Sequence, residues 1–253
     1  MVFSIDTLNF RGVHSLSYKG KDLISGNGGL SMLDVPHGTA SVNGTVTKSA
    51  FLYKGDLRVS LRVEGIFFKD SAGGVGYSYT VTSYAGSPQL YITATIRNSI
   101  NPDVGRAARI RYAKADFSLA YDPSATVAFD TVLIRSYITS AVDTLRTSKA
   151  YDNPSGGGLI VTERFAGGNY CPNINRTLLN GRNVEVDIIR KYNTQTAYPL
   201  FYVDSIYVMR DLTHKTSEIM LQCYDGTMNT TALKTAVRGL KGKLRLWQDP
   251  HDL

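Results

Sequence analysis

Asp56-Leu57-Arg58-Val59-Ser60-Leu61-Arg62-Val63-Glu64 alternates without a break: every second residue is apolar, and the residues between are polar. Successive side chains of a strand point to opposite faces, so this pattern predicts a half-buried β-strand with Leu57, Val59, Leu61 and Val63 on its core side. Gln89-Leu90-Tyr91-Ile92-Thr93-Ala94-Thr95-Ile96-Arg97 repeats the pattern and adds Leu90, Ile92 and Ile96 to the predicted core. Between them, Gly76-Tyr77-Ser78-Tyr79-Thr80-Val81-Thr82-Ser83-Tyr84 is rich in Tyr and Thr and reads as a third strand. The connectors Lys69-Asp70-Ser71-Ala72-Gly73-Gly74 and Ala85-Gly86-Ser87-Pro88 are short turns. Together these segments predict a meander of long antiparallel strands.

The rest of the chain follows the same grammar. Further strands are predicted over Ala107 to Ala113, Thr131 to Ile138, Val184 to Tyr192, Phe201 to Met209, Glu218 to Tyr224 and Lys243 to Gln248. Turn signals such as Asn43-Gly44, Asp122-Pro123, Asn180-Gly181 and Asp225-Gly226 separate them. One helix is expected, Thr230 to Leu240, where Ala232, Leu233, Ala236 and Val237 recur at helical spacing. The expectation is an all-β fold, an antiparallel β-sandwich with one short helix near the C-terminus, as a single domain over residues 1–253.

Composition agrees. Hydrophobic residues make up 43% of the 253, enough for a core, while only 19% are charged. Lys and Arg number 28 against 21 Asp and Glu, a net charge of +7, which suits a polyanionic partner. No apolar run reaches the length of a membrane-spanning helix. Met1-Val2-Phe3-Ser4-Ile5-Asp6 has no basic segment followed by an apolar one, so no signal peptide is expected. Cys171 and Cys223 lie far apart and are read as two reduced thiols, with one disulfide as the alternative. No zinc spacing, phosphate loop or Gly-x-Ser-x-Gly elbow occurs, and His14, His37, His214 and His251 are scattered, so no cofactor or metal is expected. Three Asn-x-Thr sequons begin at Asn43, Asn175 and Asn229.

The order of segments resembles a known family. Phe10-Arg11-Gly12-Val13 to Lys21-Asp22-Leu23-Ile24 is followed by Gly28-Gly29-Leu30-Ser31-Met32-Leu33-Asp34, then by the strands ending Arg62-Val63-Glu64-Gly65 and Tyr84-Ala85-Gly86-Ser87. Over roughly the first half of the chain this is similar to the mutarotase-like β-supersandwich of carbohydrate-active proteins. The type it most resembles is the exo-rhamnogalacturonan lyase. In the second half only Ser148 to Gly157 resembles a Gly-rich, sugar-facing loop. The resemblance implies a protein that binds or cleaves an acidic polysaccharide.

Such chemistry needs a cation for the uronate carboxylate and a base for the C5 proton. The planar Arg fork suits the first role, and a tuned Tyr or His suits the second. Arg109 and Arg111 share a strand face by alternation, and Arg135 and Tyr137 share a face on the next predicted strand. The expected substrate-binding residues are Arg109, Arg111, Arg135, Arg164 and Tyr192; the proton-transfer candidates are Tyr137, Tyr151 and His214. Tyr170, Arg190 and the loop residue His37 join them as neighbouring candidates. A closing basic run, Lys234, Arg238, Lys241, Lys243 and Arg245, offers a polyanion contact or a solvated edge, and Trp247 a sugar platform or core. The same low charge and abundant Thr, Ser, Gly and Tyr also suit a self-assembling structural β-protein, such as a viral capsid, matrix or tail component, that forms a homo-oligomer. Whether the chain is catalytic stays open at this level.

Overall fold

The computed structural model describes residues 1–34, 40–70, 73–98, 107–135, 142–163, 177–189, 202–203, 206–209, 213–232, 234–235 and 237. The chain opens with a small antiparallel sheet of β1 (Val2–Ser4), β2 (Ser15–Tyr18) and β3 (Lys21–Ser25). β4 (Gly29–Asp34) and β5 (Ala40–Val42) then enter a seven-stranded sheet. β6 (Thr45–Lys54), β7 (Arg58–Asp70), β8 (Gly73–Tyr84) and β9 (Gln89–Asn98) form the expected meander, half of an eight-stranded sheet. β10 (Ala108–Ser118) returns to the seven-stranded sheet and pairs with β4. β11 (Ala125–Arg135), β12 (Val142–Asp152) and β13 (Gly158–Glu163) extend the eight-stranded sheet. β14 (Thr177–Asn180), β15 (Asn183–Ile189), β16 (Tyr202–Val203) and β17 (Ile206–Met209) complete the seven-stranded one. Finally β18 (His214–Tyr224) inserts between β13 and β9.

The two large sheets share one apolar core. Val63, Tyr79, Val81, Ile92 and Ile96 from the eight-stranded sheet join Ile110, Ala115, Phe117, Val184 and Val186 from the seven-stranded one. The antiparallel sandwich is therefore the fold, and the alternation that predicted it is visible in β9, whose residues are alternately half-buried and buried along its whole length. At Leu57 the reading overreaches. Leu57 sits in the β6–β7 hairpin tip and is 77% exposed, while Val59 and Leu61 are half-buried. Alternation fixes which way a side chain points, but it does not say how far the opposing sheet extends. Val63, Leu90, Ile92 and Ile96 are buried as expected.

Asn43 pins the crossing from one sheet to the other. It adopts a positive φ of 58°, a conformation that Asn tolerates better than most residues. Its Oδ1 accepts the Leu30 N–H at 2.8 Å, its Nδ2 donates to the Gly28 carbonyl at 3.3 Å, and its carbonyl accepts the Tyr77 hydroxyl at 2.8 Å. The first sequon is thus a structural corner whose amide is spent on the backbone.

The helix, α1, takes in the described residues of 230–237. Asn229 caps it: its Oδ1 accepts the Thr231 and Ala232 N–H groups, each at 3.1 Å. Val237 packs with Phe129, Ala150, Ile160 and Met220 in a second, smaller cluster on the outer side of the eight-stranded sheet. No described helix is long and apolar enough to cross a membrane. The segment from 238 onward lies outside the described residues, including Lys243 to Gln248 and Trp247. Cys171 lies outside them as well.

Cys223 is a free, buried thiol, and burial pushes its pKa up to about 12. The thiolate is the reactive form, so a Cys171→Ser variant should resist Ellman's reagent at about pH 8 until denatured. Labelling of the native protein as fast as of the denatured chain would contradict this burial.

Candidate functional site

Alternation that sends Val63, Ile92 and Ile96 inward sends their polar neighbours to the outer face of the eight-stranded sheet. Register then brings four strands' residues together. Gly76 of β8 pairs with Arg97 of β9, which pairs with His214 of β18. One row on, Ser78 pairs with Thr95 and Thr95 with Thr216; the next row runs Arg62, Thr80, Thr93 and Glu218. Side chains directly opposite across strands stand about 4.5–5.5 Å apart at Cβ, so these rows form continuous polar bands.

A groove of about 390 Å³ runs along this face, with Arg62, Gly76, Ser78, Thr95, Arg97 and His214 among its lining. Gly76 forms part of its floor. A Cβ there would stand 3.2 Å from Arg97 Nε and 3.1 Å from the Gly65 carbonyl, so glycine gives the Arg97 side chain room to lie across β8 without a shift of its neighbours. Arg62 Nη2 pairs with Glu64 Oε1 at 2.6 Å, while Arg62 Nε has no hydrogen-bond partner among the described residues. Arg97 and the exposed His214 likewise have none there. The hydroxyls of Thr95 and Thr216 hydrogen-bond at 2.8 Å, as do those of Ser60 and Thr82 at 2.9 Å. Two guanidiniums, one of them balanced by a carboxylate, thus sit among hydroxyls, which both donate and accept. Such a surface attracts an anion that also carries hydroxyls.

The seven-stranded sheet offers a contrast. On its outer face Lys114 Nζ pairs with Glu185 Oε1 at 2.7 Å and Asp116 Oδ1 at 3.5 Å, and Ser31 Oγ donates to Asp116 Oδ2 at 2.9 Å. Burial raises the Asp116 pKa against the lowering effect of Lys114. These charges satisfy one another and leave little for a ligand.

The expected site residues are dispersed. Arg109 and Arg111 are both exposed on β10, on one face as alternation requires, but that face belongs to the seven-stranded sheet. A β-bulge between Ile110 and Tyr112 shifts the phase of β10 at Arg111. Arg135 ends β11, opposite Val142, on the eight-stranded sheet. The three arginines expected together therefore lie on different sheets, because the chain changes sheets between Ser118 and Ala125. Tyr151 is 0% exposed, on the core side of β12 in the row of Leu159 and Cys223. Burial raises its pKa, the opposite of what a phenolate base needs. His214 alone of the described candidates reaches the groove. Tyr137, Arg164 and Tyr192 lie outside the described residues, as do His37, Tyr170, Arg190, Arg238, Lys241 and Arg245. Lys234 is exposed on α1. The Gly-rich stretch after Asp152 is a tight turn held by Lys21, whose Nζ donates to the Gly156 carbonyl at 2.9 Å. Among the described residues no group of three His, Cys, Asp or Glu side chains could hold a metal.

Arg62 and Arg97 are the residues that sequence reasoning passed over. Each stood in a quoted strand as a polar position, and the signal that unites them is cross-strand register, which local alternation does not contain.

No protein-family model matches the chain, and no curated protein matches it. Among solved structures, a heparan sulfate lyase from Pedobacter heparinus is similar over 74% of this chain at 10% identity, with a TM-score of 0.41. This chain spans 23% of that lyase's length. A galactose mutarotase related enzyme from Lactobacillus acidophilus is similar over 89% of this chain and 95% of its own, at 6% identity and a TM-score of 0.43.

Proposed function

We propose that the outer face of the eight-stranded sheet binds an acidic saccharide, with Arg62 and Arg97 holding its carboxylates and His214 beside them. The observation that carries this reading is the groove itself: the Arg62 and Arg97 guanidiniums, only the first of them paired with a described carboxylate, set among rows of Ser and Thr hydroxyls. The Arg fork pairs with a carboxylate through two parallel hydrogen bonds, and the hydroxyl rows suit the hydroxyls of a sugar.

The same geometry can serve β-elimination. A base takes the C5 proton of a uronate, the electron pair of that C–H bond forms the C4–C5 double bond, and the C4–O bond breaks, the glycosidic oxygen leaving with its electron pair and taking a proton from water to become a hydroxyl. In this reading Arg97, whose register partner is His214, stabilises the charge that spreads into the carboxylate, and His214 serves as the base. A structural, self-assembling role has less support. One edge strand of the sheet, β6, carries Lys48, Lys54 and two irregularities of register, features that hinder strand-to-strand pairing.

Calorimetric titration with a galacturonate hexamer tests the reading. Arg97→Gln should weaken binding roughly 10–100-fold, the worth of about 1.5–3 kcal/mol for a hydrogen bond to a charged group, with an unchanged melting temperature. Affinity should also fall as salt rises. If turnover is present, the ultraviolet absorbance of the unsaturated product should vanish in His214→Gln while binding persists. Absence of binding in the parent protein, or binding indifferent to Arg97→Gln, would contradict the proposal.

A further inference from the structure

The polar face does not end at the groove. Continuing along β8, the outward positions after Gly76 are Ser78, Thr80, Thr82 and Tyr84. Tyr84 is 39% exposed and meets Tyr91 edge-on, their ring centroids 5.9 Å apart at 82°. Arg58, the cross-strand partner of Tyr84, lies between two rings, 5.4 Å from the centroid of Tyr53 and 6.0 Å from that of Tyr84. Tyr53, 49% exposed, comes from β6 opposite Ser60. The Arg58 Nε is buried with no hydrogen-bond partner among the described residues, and none of the ion pairs among them involves the guanidinium. Large aromatic faces left in water beside an unpaired cation form a second patch with the same preference for an anion on a flat, partly apolar ring.

Position relates the two patches. Gly76 marks the level of Arg97 and Tyr84 the level of Arg58, eight positions apart on one strand. At about 3.4 Å per residue they are separated by about 27 Å. Between them run the hydroxyls of Ser78, Thr95, Thr80, Thr93 and Thr82, with Tyr91 donating to Gln89 Oε1 at 2.5 Å. Both patches face the same way, because β8 and β9 pair without a register shift from Val75 to Ser83.

We infer that Arg58, Tyr53 and Tyr84 form a distal subsite, and that the ligand is a linear polyuronate lying along β8 and β9 and bridging Arg58 and Arg97. This rests on the groove reading above and adds the ligand's length and direction. The tyrosines stack on a sugar ring while Arg58 holds that residue's carboxylate. A short oligomer engages the groove alone. A longer one engages both ends, and its second contact forms at the high effective concentration that a tether provides.

The test is a length series of galacturonate oligomers titrated into the parent protein, Arg58→Gln, Tyr84→Ala and Arg97→Gln, with circular dichroism to confirm that each variant is folded. In the parent, affinity should step up by at least about tenfold once the oligomer's contour exceeds the span. Arg58→Gln and Tyr84→Ala should remove the step and leave short-oligomer affinity unchanged, whereas Arg97→Gln should weaken every length. Affinity flat with length, or a step that survives in both distal variants, would overturn the distal subsite while leaving the groove reading intact. Failure of every oligomer to bind the parent would overturn both. Binding of anionic phospholipid vesicles that is lost in Tyr84→Ala, without an oligomer step, would assign the hairpin tip to a lipid surface and overturn the inference.

Discussion

Tyr77→Ala should cost the fold about 3–5 kcal/mol, as large aromatic truncations in a core do. The side chain is 0% exposed. Its ring stacks on Phe10 at 5.6 Å and 22° and tilts against Phe67 at 5.1 Å. It also covers Gly65, its partner across the strands: a Cβ on Gly65 would fall 2.3 Å from the Tyr77 ring. Removing the ring therefore opens a cavity and uncovers backbone that has no side chain of its own. The hydroxyl's donation to the Asn43 carbonyl would go too, loosening the corner between the sheets. Tyr77→Phe separates these effects. It keeps the ring and should lose only about 0.5–1.5 kcal/mol, the net worth of one hydrogen bond. Urea unfolding of the three proteins reads both numbers; an alanine variant within about 1 kcal/mol of the parent would mean that the sheets do not close over this ring.

Alkaline pH should unfold the protein. Burial raises the pKa of Tyr77 to about 12, and raises those of Tyr79, Tyr121, Tyr151 and Tyr224 as well. The Tyr79 and Tyr151 hydroxyls have no hydrogen-bond partner among the described residues, so nothing there stabilises a phenolate. Tyr224 donates to Asp152 Oδ1, and an anion beside that carboxylate is worse still. A raised acid pKa means that the folded state keeps protons which the unfolded state has released. Stability from these groups is complete below about pH 10, the ordinary phenol value, and is lost as pH climbs through the folded values. The last tyrosines to ionise, the buried ones, should then do so together with the loss of native circular dichroism, above about pH 10. Full ionisation of the tyrosines near pH 10 with native dichroism retained would contradict the burial of these rings.

Much of the fold could be read from strands with one wet face. β7 and β9 announce themselves because one side packs on the other sheet and the opposite side is polar. β13 does not, since all six of its residues are buried: Leu159 and Val161 face the main core, and Ile160 faces the cluster under Val237. A strand covered on both sides loses its alternation. β4 is nearly as enclosed and equally silent. The short first strands carry too few residues for a period to show. Of the proposed site, only the residue types were legible. Arg, Tyr and His on a sheet face were expected, and His214 is there, but the arginines beside it are Arg62 and Arg97 rather than Arg109 and Arg111. Pairing strands distant in sequence decides that, and Arg97 meets His214 only through the insertion of β18 beside β9.

A crystal structure with a bound galacturonate hexamer locates the ligand outright. Sugar density is expected along the outer face of β7, β8, β9 and β18, with one carboxylate on the Arg97 guanidinium and His214 beside the same ring. Sugar on the Arg109 and Arg111 face of the seven-stranded sheet, or an empty groove at saturating hexamer, would contradict it.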